Sequence, residues 1–224
     1  MPAGSNRPRV PLTRERVMEG AMAVADAGGL EALTIRSLAR ELGVKPMAVY
    51  HHVAGKAEIL DGIVDLVFGE IQTPPPGTPW RRAMRLRARS ARQVLGRHPW
   101  AGTLMDSRAT PGPHTLRHHD SRLGTLRAAG FSVALAGHAV ALLDGHVYGF
   151  VIQEAALPFS TPDETTQVAE QIIDQMAGAF PHLAELARER VLEPGYDFGA
   201  EFDFGLELIL DGLERAAEAE PTSG

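Results

Sequence analysis

The chain has two lysines in 224 residues, Lys45 and Lys56, and they bracket a short segment containing Tyr50, His51 and His52. Ammonium groups at both ends of such a segment suit phosphate oxygens, and tyrosine and histidine can donate to the same oxygens. Arg36, a little upstream, can meet a guanine edge with its two-pronged guanidinium. Met47 and Ala48 offer only apolar surface, which in a DNA groove can touch a thymine methyl. This is the chemistry of polyanion recognition. A second set is His114 and His118, four apart beside His119 and Asp120. That spacing lets two imidazoles share a metal, but a polar surface turn is the favoured reading, so no metal site is assigned. A third set is Asp144 with His138 and His146 on one apolar segment. No glycine elbow, phosphate loop or HExxH order accompanies either histidine set, so no catalytic residue, enzymatic activity or cofactor is expected.

The elements that must position the first set are legible around it. Thr34 is a good N-cap, and Leu38, Ala39 and Leu42 follow at helical spacing as one buried face. Gly43 stops that helix where a positive φ is wanted, and Val44 plugs the angle to the next one. The second helix, about Pro46 to His52, is too short and polar to be core. It turns Met47, Ala48, Tyr50, His51 and His52 outward and Val49 and Val53 back. Two short helices held at a steep angle across a glycine turn have the form of a DNA-reading element; an αα-corner inside a helical protein shares that outline. Charge separates the two readings. Residues 1–60 hold eight Lys/Arg against six Asp/Glu, so the head is basic while the whole chain is formally −6. Acidic bulk weakens indiscriminate DNA binding and leaves one patch to dock.

A chain of 24.1 kDa with 44% hydrophobic residues can bury a substantial core in one large or two unequal domains. No run of about 18 uncharged apolar residues is present, the N-terminus lacks an apolar signal-peptide stretch, and zero cysteines fit a reducing compartment. The expectation is a cytoplasmic protein with no membrane partner. Helical patterns run over 13–27, ending at Gly28-Gly29, and over 56–72, followed by a stiff Pro-rich spacer at 73–79. Further patterns cover 80–98, 114–129, 132–155, 164–179 and 200–218. No alternating strand pattern appears, and the expected fold class is all-α.

The order Thr34-x-Arg36-x-Leu38-Ala39-x-x-Leu42-Gly43-Val44, then Tyr50-x-His52 and Lys56, resembles the DNA-binding head of the tetracycline-repressor (TetR) family of bacterial regulators. The tail Phe204-Gly205-Leu206-Glu207-Leu208-Ile209 with Gly212-Leu213-Glu214 resembles the last helix of the tetracycline repressor, and Trp80, His98 and Gly130-Phe131-Ser132 fall at comparable intervals. The resemblance implies a three-helix helix-turn-helix head over 12–60 behind an arm at 1–11. An effector-binding and dimerisation domain over 61–219 and a tail at 220–224 would follow. It implies a homodimer that binds a palindromic double-stranded operator as a repressor and is released by an unknown small-molecule effector. Thr34, Arg36, Lys45, Pro46, Met47, Ala48, Tyr50, His51, His52 and Lys56 would then meet DNA, at an operator unlike the tetracycline one.

Two glycine-notched apolar helices, 132–155 and the last, suit a four-helix bundle across a two-fold axis. Gly145, Gly149, Phe150, Leu206, Ile209, Leu210 and Leu213 are the expected contacts. Arg87 stands on the inward stripe of helix 80–98, where a guanidinium either lines a cavity or meets a buried carboxylate. Arg81, Arg82, Arg85, Arg89 and Arg92 read as a solvated face. The expected effector cavity takes Gln72, Arg87, Ala91, Met105, Arg108, Pro111, Arg122, Val140 and Gln153. In the tetracycline repressor a histidine about seven residues beyond the position of His98 helps bind a drug–metal chelate; here Leu104-Met105-Asp106 holds no histidine, so the resemblance implies an effector other than tetracycline–magnesium.

Overall fold

The computed structural model describes residues 11–105, 107–157, 173, 178–193 and 195–220. Among them every regular element is a helix. In chain order these are α1 (Arg14–Ala32), α2 (Ile35–Glu41), α3 (Pro46–Tyr50), α4 (Lys56–Glu70), α5 (Trp80–Arg97), α6 (Pro113–Ala128), α7 (Val133–Ala155), α8 (Pro181–Leu186), running into a π-turn over Ala187–Val191, and α9 (Gly199–Ala219). The expected all-α class and most boundaries hold to a residue or two. The arm over 1–10, most of the expected helix 164–179, and residues 221–224 lie outside the described residues. The short α8 was not expected; it buries only Ala184 and leaves Phe180, Leu183 and Leu186 exposed, so it carries no core-facing period.

The chain packs as two compact units, one from residues 1–77 and 89–124, the other from 78–88 and 125–224. The first unit is built on α1, whose Val17, Met18, Ala21 and Ala25 are buried with Leu33, Leu38, Val49, Ile59 and Ile63. Gly29 stands at φ 72 and breaks α1 where the glycine pair is read in the sequence. Further residues are tied to this core by polar contacts. Asp26 of α1 accepts from Trp100 Nε1 at 2.6 Å and lies 2.7 Å from His98 Nδ1, while His98 Nε2 lies 3.3 Å from Glu70 of α4.

In the second unit α9 packs on α7 through Phe202, Leu206, Leu210 and Leu213, which meet Ala139, Leu143, Val147 and Phe150 in one core. The crossing is tight at Gly205, where an added Cβ would lie 2.6 Å from His146 Cε1. His146 Nε2 sits 2.9 Å from the Phe202 carbonyl, and its ring stacks on Phe202. Arg81 and Arg85 are not a solvated face. Arg81 pairs with Glu207, Asp211 and Glu214 of α9, and Arg85 with Glu207. The Glu207 carboxyl is held down at about 2, chiefly by the Arg85 hydrogen bond and further by Arg81.

Candidate nucleic-acid interface and its linked helices

The reading head is set by three local devices. Thr34 Oγ1 accepts from Ser37 N–H at 3.0 Å and Ser37 Oγ accepts from Thr34 N–H at 2.9 Å, a reciprocal cap that fixes the start of α2. Gly43 turns the chain at φ 66, a conformation that penalises side chains. Pro46 then occupies the first turn of α3, where its missing N–H costs nothing. Val49 is fully buried and Val53 nearly so, which fixes the outer face: Met47 is 69% exposed and Tyr50 49%. Arg36, Lys45, Pro46, His51 and Lys56 are exposed, with Ala48 and His52 half-buried. Lys56 Nζ donates to the Leu30 carbonyl at 3.1 Å, which holds the lysine beside the end of α1.

Glu58 is a supporting residue that sequence reading missed. Its carboxylate accepts from Ala54 N–H at 2.7 Å and from Arg14, pinning the turn between α3 and α4. The Ala54 hydrogen bond, then Arg14, keeps its carboxyl below the usual range. The available signal was a glutamate at the third helical position after Gly55, where such a side chain reaches back to a free N–H.

Along α4 the polar face continues at four-residue spacing. Asp61 accepts from Arg108 Nε at 2.6 Å, and Arg108 also donates to the Ala57 carbonyl at 3.3 Å. Asp65, 8% exposed, accepts from both Thr115 N–H (2.8 Å) and Thr115 Oγ1 (2.9 Å) at the start of α6. Phe68 lies under His118 and His119, with ring centroids 5.1 and 5.4 Å away. An open cleft of about 680 Å³ runs past Arg14, Lys56, Glu58, Asp61 and Pro111.

These contacts redistribute the expected effector residues. Arg108 is engaged by α4. Gln72 and Pro111 are exposed, whereas Met105 and Ala91 are buried. Arg122 is 5% exposed, with His119 Nδ1 at 2.9 Å from its guanidinium. In the second unit Arg87 is buried at 4% exposure, as its place on the inward stripe requires, and Val140 is half-buried. Gln153 is exposed on α7, so it is no interior polar group of this unit. The His118 reading as part of a surface turn also fails, because that side chain is 6% exposed, facing Phe68. No cluster of three metal-ligating side chains occurs among the described residues.

The expected dimer residues divide as well. Phe150, Leu206, Leu210 and Leu213 are consumed by the α7–α9 core of one protomer. Ile209 is half-buried, and an added Cβ at Gly145, Gly149 or Gly212 meets nothing within 4 Å. The large apolar side chains left open are Val133, Leu142 and Ile152 on α7 and Phe204 and Leu208 on α9. Helix α7 is long and apolar enough to span a bilayer by length and composition, yet it carries Asp144 and packs its inner stripe on α9.

A family model for bacterial regulatory proteins of the tetR family matches residues 17–63, and one for the tetracyclin repressor-like C-terminal domain matches 73–217. The chain belongs to the TetR family. TetR-family kinship extends over whole chains. The transcriptional repressor DrrR1 of Streptomyces coeruleorubidus is 34% identical, covering 97% of this chain and 84% of that protein. The class C tetracycline repressor of Escherichia coli is 29% identical over 91% of each. Streptomyces coelicolor ActR, solved in complex with actinorhodin, superposes with a TM-score of 0.79 at 28% identity, covering 94% of this chain and 99% of ActR. This TetR-family chain is a helix-turn-helix transcriptional regulator, and the matched head contains α2, α3 and most of α1.

Proposed function

We propose that the protein represses transcription in the cytoplasm as a homodimer on a palindromic operator and lets go when a small molecule binds. Residues 12–60 read DNA, and 61–219 sense the effector and dimerise. The observation that carries this is the presentation of α3. Val49 and Val53 lock one face inward, Met47 and Tyr50 stand out, and the chain's two lysines flank them. Arg36 and the exposed or half-exposed Thr34, Lys45, Pro46, Ala48, His51, His52 and Lys56 complete the DNA-facing set. Self-association is supported by the glycines Gly145, Gly149 and Gly212 near Leu142, Phe204 and Leu208, since a notch with no neighbour among the described residues suits a second chain. A small-molecule effector is supported by ActR, solved with actinorhodin. Buried Arg87 is the group we assign to sensing it in the second unit. Arg108 and Asp61 would pass the signal to α4 in the first.

Salt titration of operator binding tests the head. Each lysine that neutralises a phosphate contributes about 0.9 to the slope of log K against log salt per protomer. Lys45→Ala and Lys56→Ala should each weaken all sequences and flatten that slope, while Arg36→Ala should relax sequence preference. Unchanged affinity and slope in both lysine variants would refute the assignment.

A further inference from the structure

Resting on that operator reading, we infer that Met47 is a specificity-determining residue of the head and reads the C5-methyl group of a thymine in the major groove. In helix-turn-helix docking the first residues of the reading helix lie nearest the base edges. Here α3 is five residues long, and its inward face is fixed by Val49. Pro46 at its start has no N–H and no polar side chain. Pro46 is exposed but is a short, rigid ring, and Ala48 is short and half-buried, so of the three apolar residues of the turn Met47, 69% exposed, is the one with a long, adaptable side chain. No side chain of this turn can pair two-pronged with a base. Among the base edges displayed in the major groove, the apolar group is the thymine methyl, and an unbranched, polarisable thioether adapts to it without needing one fixed approach. Lys45 and Arg36, both exposed, supply the charged contacts around it.

The test uses the full-length protein and a palindrome selected from a random duplex pool. Each thymine is replaced in turn by deoxyuridine, which removes the methyl and keeps every hydrogen-bonding group. One thymine per half-site should respond, with about 4-fold weaker binding for one half-site and ~15-fold for both, the worth of one buried methyl at each. Met47→Ala should lose the same affinity and become blind to that replacement; Met47→Leu should stay sensitive. The exposure of Met47 makes both variants safe for folding. Selected half-sites with no methyl-sensitive thymine, or a Met47→Ala protein that keeps the sensitivity, would overturn this inference alone. A pool that yields no preferred sequence would overturn the operator reading and this inference with it.

Discussion

Replacing Asp65 should cost more than replacing any other charged side chain on α4, because its carboxylate serves the start of α6 twice over. It accepts from Thr115 N–H at 2.8 Å and from Thr115 Oγ1 at 2.9 Å, and Thr115 itself is 7% exposed. Asp65→Ala would remove a helix cap, worth about 1 kcal/mol. It would also strand a buried hydroxyl, which costs about 2 kcal/mol more. The total of ~3 kcal/mol should lower Tm by roughly 6–12 °C in a chain of this size. Thermal melts of the full-length protein followed by circular dichroism measure this directly. Thr115→Val removes the donor hydroxyl without creating an orphan and should cost only about 1 kcal/mol. The Asp65→Ala/Thr115→Val pair should then be less destabilised than the sum of the single variants by about 2 kcal/mol, since the hydroxyl is no longer stranded. An Asp65→Ala protein melting within ~1 °C of wild type, or strict additivity in the cycle, would refute the cap.

Glu207 gives a pH prediction. Its carboxyl is depressed to about 2 by Arg85 and Arg81, so its stabilisation is present above the unfolded glutamate range and is lost as pH falls toward 2. The side chain is 36% exposed, and solvent screening holds the contribution near ~1 kcal/mol. The melting difference between wild type and Glu207→Gln should therefore be constant at pH 6–8 and shrink progressively below about pH 4.5; a difference independent of pH would count against the pairing. The glycines of the last helices should split by location. Gly205→Ala forces a Cβ to 2.6 Å from His146 and should destabilise the fold by about 1–3 kcal/mol. Gly149→Leu meets no neighbour among the described residues and should spare the protomer while lowering dimer mass in sedimentation; an intact dimer would remove Gly149 from the interface.

What is legible in the sequence is what is specified locally. Thr34, Gly43 and Pro46 announce cap, turn and helix start within a few residues, so the residues of the head suffice to place it. The C-terminal half is harder because its decisive partners are remote. Arg81 meets Glu207 across 126 residues, and seven arginines on one helix look alike until a carboxylate chooses among them. Helix α9 carries two apolar stripes, one through Phe202, Leu206 and Leu210 and one through Phe204 and Leu208. Periodicity cannot tell which is spent inside the protomer; burial assigns the first stripe to the core. Gly205 and Gly149 likewise read as the same notch, one filled by His146 and the other open. His118 is misplaced by sequence for a related reason: a histidine-rich helix start looks solvated unless Phe68 is known to cover it.

The Asp26–Trp100, Asp61–Arg108 and Asp65–Thr115 contacts bear on how regulators of this kind can be recombined. The unit that contains the reading helix is discontinuous in sequence, taking residues 1–77 and then 89–124. A chimaera made by grafting residues 1–60 onto a foreign sensor would divide α4 after its first turn, and Asp26 would arrive without His98 or Trp100. Operator specificity would be exchanged more cleanly by substituting the few exposed positions of α3 within the native scaffold. The interchangeable part of this protein is a surface, not a segment.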